Sequence, residues 1–162
     1  MPLSSHPVRA GLAAMIALAL AASTAAASGD KPRRPNALPP PLYQQECGAC
    51  HLAYPAELLP AESWQRLMSQ LPHHYGTDAS LDAATRDELV AWLTANAANG
   101  RRAGTAPPQD RITQSAWFLR EHAEVPPATW KRPAVKSPAQ CAACHIQAAE
   151  GDFNEHRVRI PR

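Results

Sequence analysis

From Ser28 onward the chain is short of aliphatic mass: Leu, Ile, Val and Phe together number only 20 of 135 residues, a share at which forming a packed core is difficult. It also lacks the strong net charge that usually accompanies disorder. Over the same stretch 15 Lys and Arg offset 14 Asp and Glu, whereas chains that stay unfolded are more lopsided. The polypeptide therefore needs apolar mass that its own side chains do not supply. Its basic residues are scattered rather than gathered into a stripe, which excludes a nucleic-acid-binding face. No stretch alternates convincingly with a period of two, so little or no sheet is expected. Methionine is nearly absent as well: after Met1 and Met15 only Met68 remains.

A second long apolar run is also missing, so nothing beyond the N-terminus resembles a membrane span. The single run, GLAAMIALALAA (11–22), is too short to cross a bilayer comfortably. It follows a segment charged only at Arg9 and precedes the small residues of STAAASGD (23–30). That order is the plan of a secretory signal, expected to occupy 1–27, with cleavage after Ala27 and no anchor left behind. Arg9 has no arginine neighbour, which points to general export rather than a twin-arginine route.

Cysteine is scarce but strictly arranged. All four residues fall in two copies of one pattern, CGACH (47–51) and CAACH (141–145). Two disulfides are the default for an exported chain, yet they leave the histidine after each pair unexplained. A thioredoxin-like dithiol needs a strand feeding a helix, and none precedes either motif. Structural zinc sites usually gather their ligands within a few dozen residues and would not require the histidines. Covalent haem uses every residue of the motif. Cys47 with Cys50, and Cys141 with Cys144, lie three apart on one face of a helical turn, where each thiol can form a thioether to a haem vinyl group. His51 and His145 then project at the iron. Two covalently bound haem c groups would also supply the missing apolar mass. Their four propionates would offset the slightly basic sequence, so a strongly positive docking face is not expected.

The remaining pattern predicts an all-α, cytochrome c-like helical protein wrapped around these haems. After a proline-rich lead-in (28–41), a first module covers 42–100, a link 101–111, and a second module 112–162. A helix is expected over LYQQECGACH (42–51). Trp64, Leu67, Met68 and Leu71 share one face of another over 62–71, ended by Pro72. Asp82 is placed to cap a third, with Leu89, Val90, Leu93 and Ala97 on its buried side. In the second module Thr113 is expected to cap a helix reaching His122, with Ile112 and Trp117 as a hydrophobic staple. SPAQ (137–140) reads as a capping box opening a helix that carries Cys141, Cys144 and His145, with Gly151 at its C-terminal end.

The ligand opposite His51 and His145 decides between an electron carrier and an open iron. Met68 reads as a core residue of its helix face, and at most one haem could use it. For the first haem the tandem pair in LPHHYG (71–76) is the source. His74, followed by Tyr75, is preferred over His73, which directly follows Pro72. For the second haem, His122 lies four residues after Phe118 on the same helix face. His156, in the polar GDFNEHR stretch, is held in reserve.

ECGACHLAYPAELLPAESWQRLMSQL with the following HYG, ITQSAWFLREH, and CAACHIQAAEGDFNEHRVRIP together resemble the dihaem cytochrome c family over nearly all of 42–161. Members are small exported bacterial carriers with bis-histidine haems, associated with an oxygen-binding monohaem cytochrome c. The resemblance implies that His74 and His122 are the distal ligands, without fixing which haem each serves. It implies a periplasmic electron carrier, not an enzyme, between a membrane cytochrome b-type, quinol-oxidising donor and a soluble haem acceptor or reductase. A dihaem peroxidase or gas-binding enzyme with one open iron is the alternative. A small dihaem subunit of a periplasmic reductase is disfavoured, because its two motifs lie much closer together.

Overall fold

The computed structural model describes residues 39–99 and 104–162. The expected signal peptide, most of the lead-in and the first residues of the link lie outside the described residues. Among those described there are four α-helices: α1 (Pro41–Gly48), α2 (Ala61–Ser69), α3 (Ala83–Ala95) and α4 (Ala116–Glu121). Short 3-10 turns join them, and pairing of extended backbone is limited to isolated bridges at Pro60 with Ala98 and His74 with Thr77. The all-α expectation holds.

The main core is the packing of α2 on α3. Trp64, Met68 and Leu71 close over Leu89 and Leu93, joined by Tyr43 from α1 and by Ala56 and Leu59 from the turn between α1 and α2. Leu89 and Leu93 are both fully buried, each contributing about 1.5–3 kcal/mol relative to exposure. Polar atoms drawn into this core are satisfied: the Trp64 indole donates to the Ala56 carbonyl at 2.7 Å, and the Tyr43 hydroxyl donates to the Tyr54 carbonyl at 2.7 Å. Asp82 caps α3 as expected, accepting from the Thr85 amide at 3.0 Å. Proline opens the other helices of this half: Pro41 occupies the first turn of α1, and Pro60 precedes α2, where a missing N–H costs nothing.

Three expected helix limits need correction. α1 ends at Gly48, so Cys50 and His51 lie in the turn beyond it; glycine is a poor helix residue and the chain leaves the helix there. α4 is capped by Ser115, which accepts from the Phe118 amide at 3.1 Å, not by Thr113. Thr113 sits inside a 3-10 turn, Ile112–Gln114, and so lacks the extended backbone an N-cap requires. The second cysteine motif forms only a 3-10 turn, Cys141–Ala143. There the Ser137 hydroxyl accepts from the Ala139 amide at 3.3 Å, a local bond that competes with the capping box. One helical turn survives, because the His145 amide still donates to the Cys141 carbonyl at 2.8 Å, which preserves the i, i+4 relation of cysteine to histidine. Gly151 closes the following turn at φ 78°, the left-handed geometry expected of it.

The second half has a smaller core of its own, with Phe118, Val135, Thr129 and Ala148 buried. Specific polar contacts join the halves. Tyr54 donates its hydroxyl to the Ala139 carbonyl at 2.8 Å. On the edge of α2, Arg66 grips Asp110 from the predicted link with two hydrogen bonds of 2.9 and 2.6 Å.

Candidate functional site

The fold brings the four predicted histidines together as two pairs. His51, in the turn after α1, faces His74, in the turn after α2, with ring centroids 6.2 Å apart and planes 23° from parallel. His122, at the C-terminal end of α4, faces His145, with centroids again 6.2 Å apart but planes 75° apart. The pairing is uncrossed by sequence half: the first motif meets the histidine that follows it, the second the one that precedes it.

The separation has a chemical meaning. A metal-to-imidazole bond is about 2.0 Å and the bonded nitrogen lies about 1.1 Å from its ring centre, so two imidazoles on opposite faces of one iron have centroids about 6.2 Å apart. Both pairs meet that spacing, and the donor set fits an iron between the rings. The Nδ1 of His51 faces the Leu52 carbonyl at 2.7 Å, and that of His122 faces the Phe118 carbonyl at 2.9 Å. A carbonyl can only accept, so Nδ1 carries the proton in both rings and Nε2 keeps its lone pair for a metal. His74 and His145 have buried Nδ1 atoms with no hydrogen-bond partner among the described residues. Burial, then the facing histidine, lowers the pKa of His74 and likewise of His145, where Asp152 opposes the shift in part. All of this favours the neutral imidazole that ligation requires.

The four cysteines form no disulfide. Cys47 is pushed up to about 11 by burial, with a contribution from Glu46, and burial raises Cys141 and Cys144 as well. Burial that favours the uncharged thiol argues against a reactive dithiol in either motif. Among the described residues no group of three or more His, Cys, Asp or Glu converges as an ion cage, so the four-cysteine zinc arrangement is not formed. Met68 is buried in the α2–α3 core. His73 is exposed. His156 is exposed too, with Nε2 3.9 Å from the Glu155 carboxylate, and takes part in neither pair.

Aromatic side chains frame both pairs. His51 stacks on Tyr54 at 4.8 Å, and His74 meets the edge of Tyr75 at 4.9 Å. His122 stacks on Phe118 at 4.0 Å and approaches Trp130 at 5.9 Å, while Phe153 lies 5.3 Å from His145. Sequence reasoning missed Tyr54. Its hydroxyl, pushed up to about 12 by burial and then by Cys141 and Tyr75, reaches across to the residue two before Cys141. It also missed the hydrogen bond from the Tyr75 hydroxyl to the Gln109 carbonyl, at 2.9 Å. No local pattern announces either, because their partners lie 85 and 34 residues away.

Comparison with known proteins adds a family. The model of the dihaem cytochrome c family matches residues 43–153. A dihaem cytochrome c from Shewanella baltica OS155, solved by X-ray crystallography, is 39% identical, with a TM-score of 0.66 over 75% of this chain and 92% of that one. A dihaem cytochrome c from Rhodobacter sphaeroides is 44% identical, with a TM-score of 0.65 over 74% of this chain and 100% of that one. A second structure, of DHC purified from Rhodobacter sphaeroides, is 46% identical, with a TM-score of 0.61 over 70% of this chain and 96% of that one. No curated protein matches the chain.

Proposed function

This chain belongs to the dihaem cytochrome c family, haem-based electron carriers with two haem c groups, and from that premise we propose that it is a periplasmic shuttle with bis-histidine ligation at both irons. His51 and His74 ligate the first, whose thioethers are on Cys47 and Cys50. His122 and His145 ligate the second, whose thioethers are on Cys141 and Cys144. The observation that carries this reading is the 6.2 Å separation in both histidine pairs.

When bound, each haem supplies reversible one-electron exchange at its iron. The protein's part is to close both faces of that iron with imidazole, which keeps substrates off it and lowers its potential relative to methionine ligation. The carbonyls of Leu52 and Phe118 orient two of the rings, which limits movement of the ligands as the iron changes charge. Residues 42–100 and 112–162 form one haem module each. Export uses the 1–27 signal, and among the described residues no helix is long and apolar enough to cross a membrane. The donor is a membrane cytochrome b-type quinol oxidiser. The acceptor is a soluble haem protein such as an oxygen-binding cytochrome c, docked through small transient contacts.

Spectroelectrochemical titration of the holoprotein, followed by addition of hydrogen peroxide, tests the carrier assignment. Two reversible one-electron steps and no sustained peroxide consumption are expected. Steady peroxide turnover at one haem would overturn it in favour of an enzyme with an open iron.

A further inference from the structure

We propose that Tyr75 is a positioning residue that holds His74 on the first iron through a strap made by Gln109 and Arg111, and that His74 is the exchangeable ligand of the four. The inference rests on the bis-histidine reading above and deepens it by making the two irons unequal.

Three of the four histidines have an anchor that His74 lacks. His51 and His145 directly follow a thioether cysteine, Cys50 or Cys144, so the covalent bond to the haem also fixes the imidazole. His122 has its Nδ1 on the Phe118 carbonyl at 2.9 Å and its ring against Phe118 at 4.0 Å. His74 has no neighbouring cysteine, and its buried Nδ1 has no partner among the described residues. Its backbone lies in a turn, not a helix, tied by bonds from its own amide to Leu71 at 3.2 Å and from Thr77 to its carbonyl at 3.1 Å.

The backbone just after His74 is strained. Tyr75 has φ 50° and Gly76 φ 95°. Glycine takes that region freely, whereas an aromatic residue with a Cβ enters it only where its surroundings impose it. Here the surroundings are identifiable. The Tyr75 hydroxyl donates to the Gln109 carbonyl at 2.9 Å, and the Arg111 guanidinium sits 4.2 Å above the centre of its ring. Gln109 and Asp110 are themselves at φ 55°. They are held by Arg66 of α2 on the Asp110 carboxylate at 2.6 and 2.9 Å, and by the Arg111 Nε on the Gln109 side chain at 3.1 Å. Residues 109–111 therefore pin the Tyr75 ring, which meets the His74 ring in an edge contact with centroids 4.9 Å apart. Releasing the pin lets the turn relax away from the iron. The step is a reversible iron–nitrogen dissociation in which no electron moves.

Cyanide added to the oxidised holoprotein is the probe, because at saturation its binding rate reports how often the distal imidazole leaves. Tyr75→Phe removes the hydroxyl and keeps the ring; Arg111→Ala removes the cation from its face. Each is expected to accelerate cyanide binding about three- to tenfold, the effect of one modest interaction lost. Electron paramagnetic resonance identifies the haem concerned. Near-parallel imidazole planes split the iron orbitals into a rhombic signal, and near-perpendicular planes give a single large-g feature. The signal that disappears faster should be the rhombic one, from the pair at 23°, while the pair at 75° is unaffected. Unchanged rates in both variants would overturn the strap, and equal acceleration at both haems would overturn it as general loosening. A parent protein already high-spin at one haem would instead remove the bis-histidine reading on which the strap depends.

Discussion

Replacing His74 by Ala removes the ring that faces His51 and is expected to turn one haem high-spin, read as a shifted optical spectrum in the oxidised protein. Replacing the exposed His73 by Ala is expected to leave both haems low-spin. His122→Ala should open the other haem and leave the first unchanged, because His122 faces His145 and not His51. At this scale most of the site was legible. The CxxCH motifs name six residues outright, and the shortage of methionine turns attention to the remaining histidines. What the motifs left open was pairing, since nothing local to His74 or His122 says which iron either reaches. That answer comes only from the fold, which brings His74 to His51 and His122 to His145. Tyr54 and the strap on Tyr75 were illegible for the same reason: each is defined by a backbone carbonyl far away in sequence, and any residue can offer a carbonyl.

Among the elements, α4 leads into His122 with little support of its own. It has six residues, too few to be stable in isolation, so its cap matters. Ser115→Ala leaves the Phe118 amide without its 3.1 Å partner and is expected to cost about 0.5–2 kcal/mol, measured by denaturant unfolding of the holoprotein. In the larger core, Leu93→Ala truncates a fully buried side chain and should cost about 2–5 kcal/mol. Legibility tracked apolar periodicity. α2 carries a strong one and was placed within two residues, whereas α3 was found by its Asp82 cap and ends at Ala95, short of the expected Ala97. The second cysteine motif has none, and its expected helix rested on a capping box whose serine turned to the Ala139 amide instead. Where tertiary packing does not select an element, a local side-chain bond decides it.

At the scale of the whole molecule, two of the polar links between the halves lend themselves to test. Tyr54→Phe keeps the ring that stacks on His51 but loses the 2.8 Å bond to Ala139. It is expected to lower stability by about 0.5–1.5 kcal/mol with both haems still low-spin, checked by thermal unfolding and optical spectra together. The Arg66–Asp110 pair gives an acid dependence. Hydrogen bonds from Arg66 hold the Asp110 carboxyl below its ordinary value, against the opposing effect of burial. A group depressed in the folded state stabilises fully above its unfolded pKa and stops doing so as pH falls through its folded value. Stability should therefore drop on the acid side of the ordinary aspartate range, and Arg66→Ala should make that limb shallower in a pH series of unfolding curves.

These links join the halves, but the proposed carrier function rests on the two histidine pairs. Low-temperature electron paramagnetic resonance of the oxidised holoprotein, with carbon monoxide then added to the reduced form, tests them most directly. Two low-spin signals, one rhombic and one of large g, with no prompt carbon monoxide complex, are the predicted result. A high-spin signal at either haem, or rapid carbon monoxide binding, would contradict it.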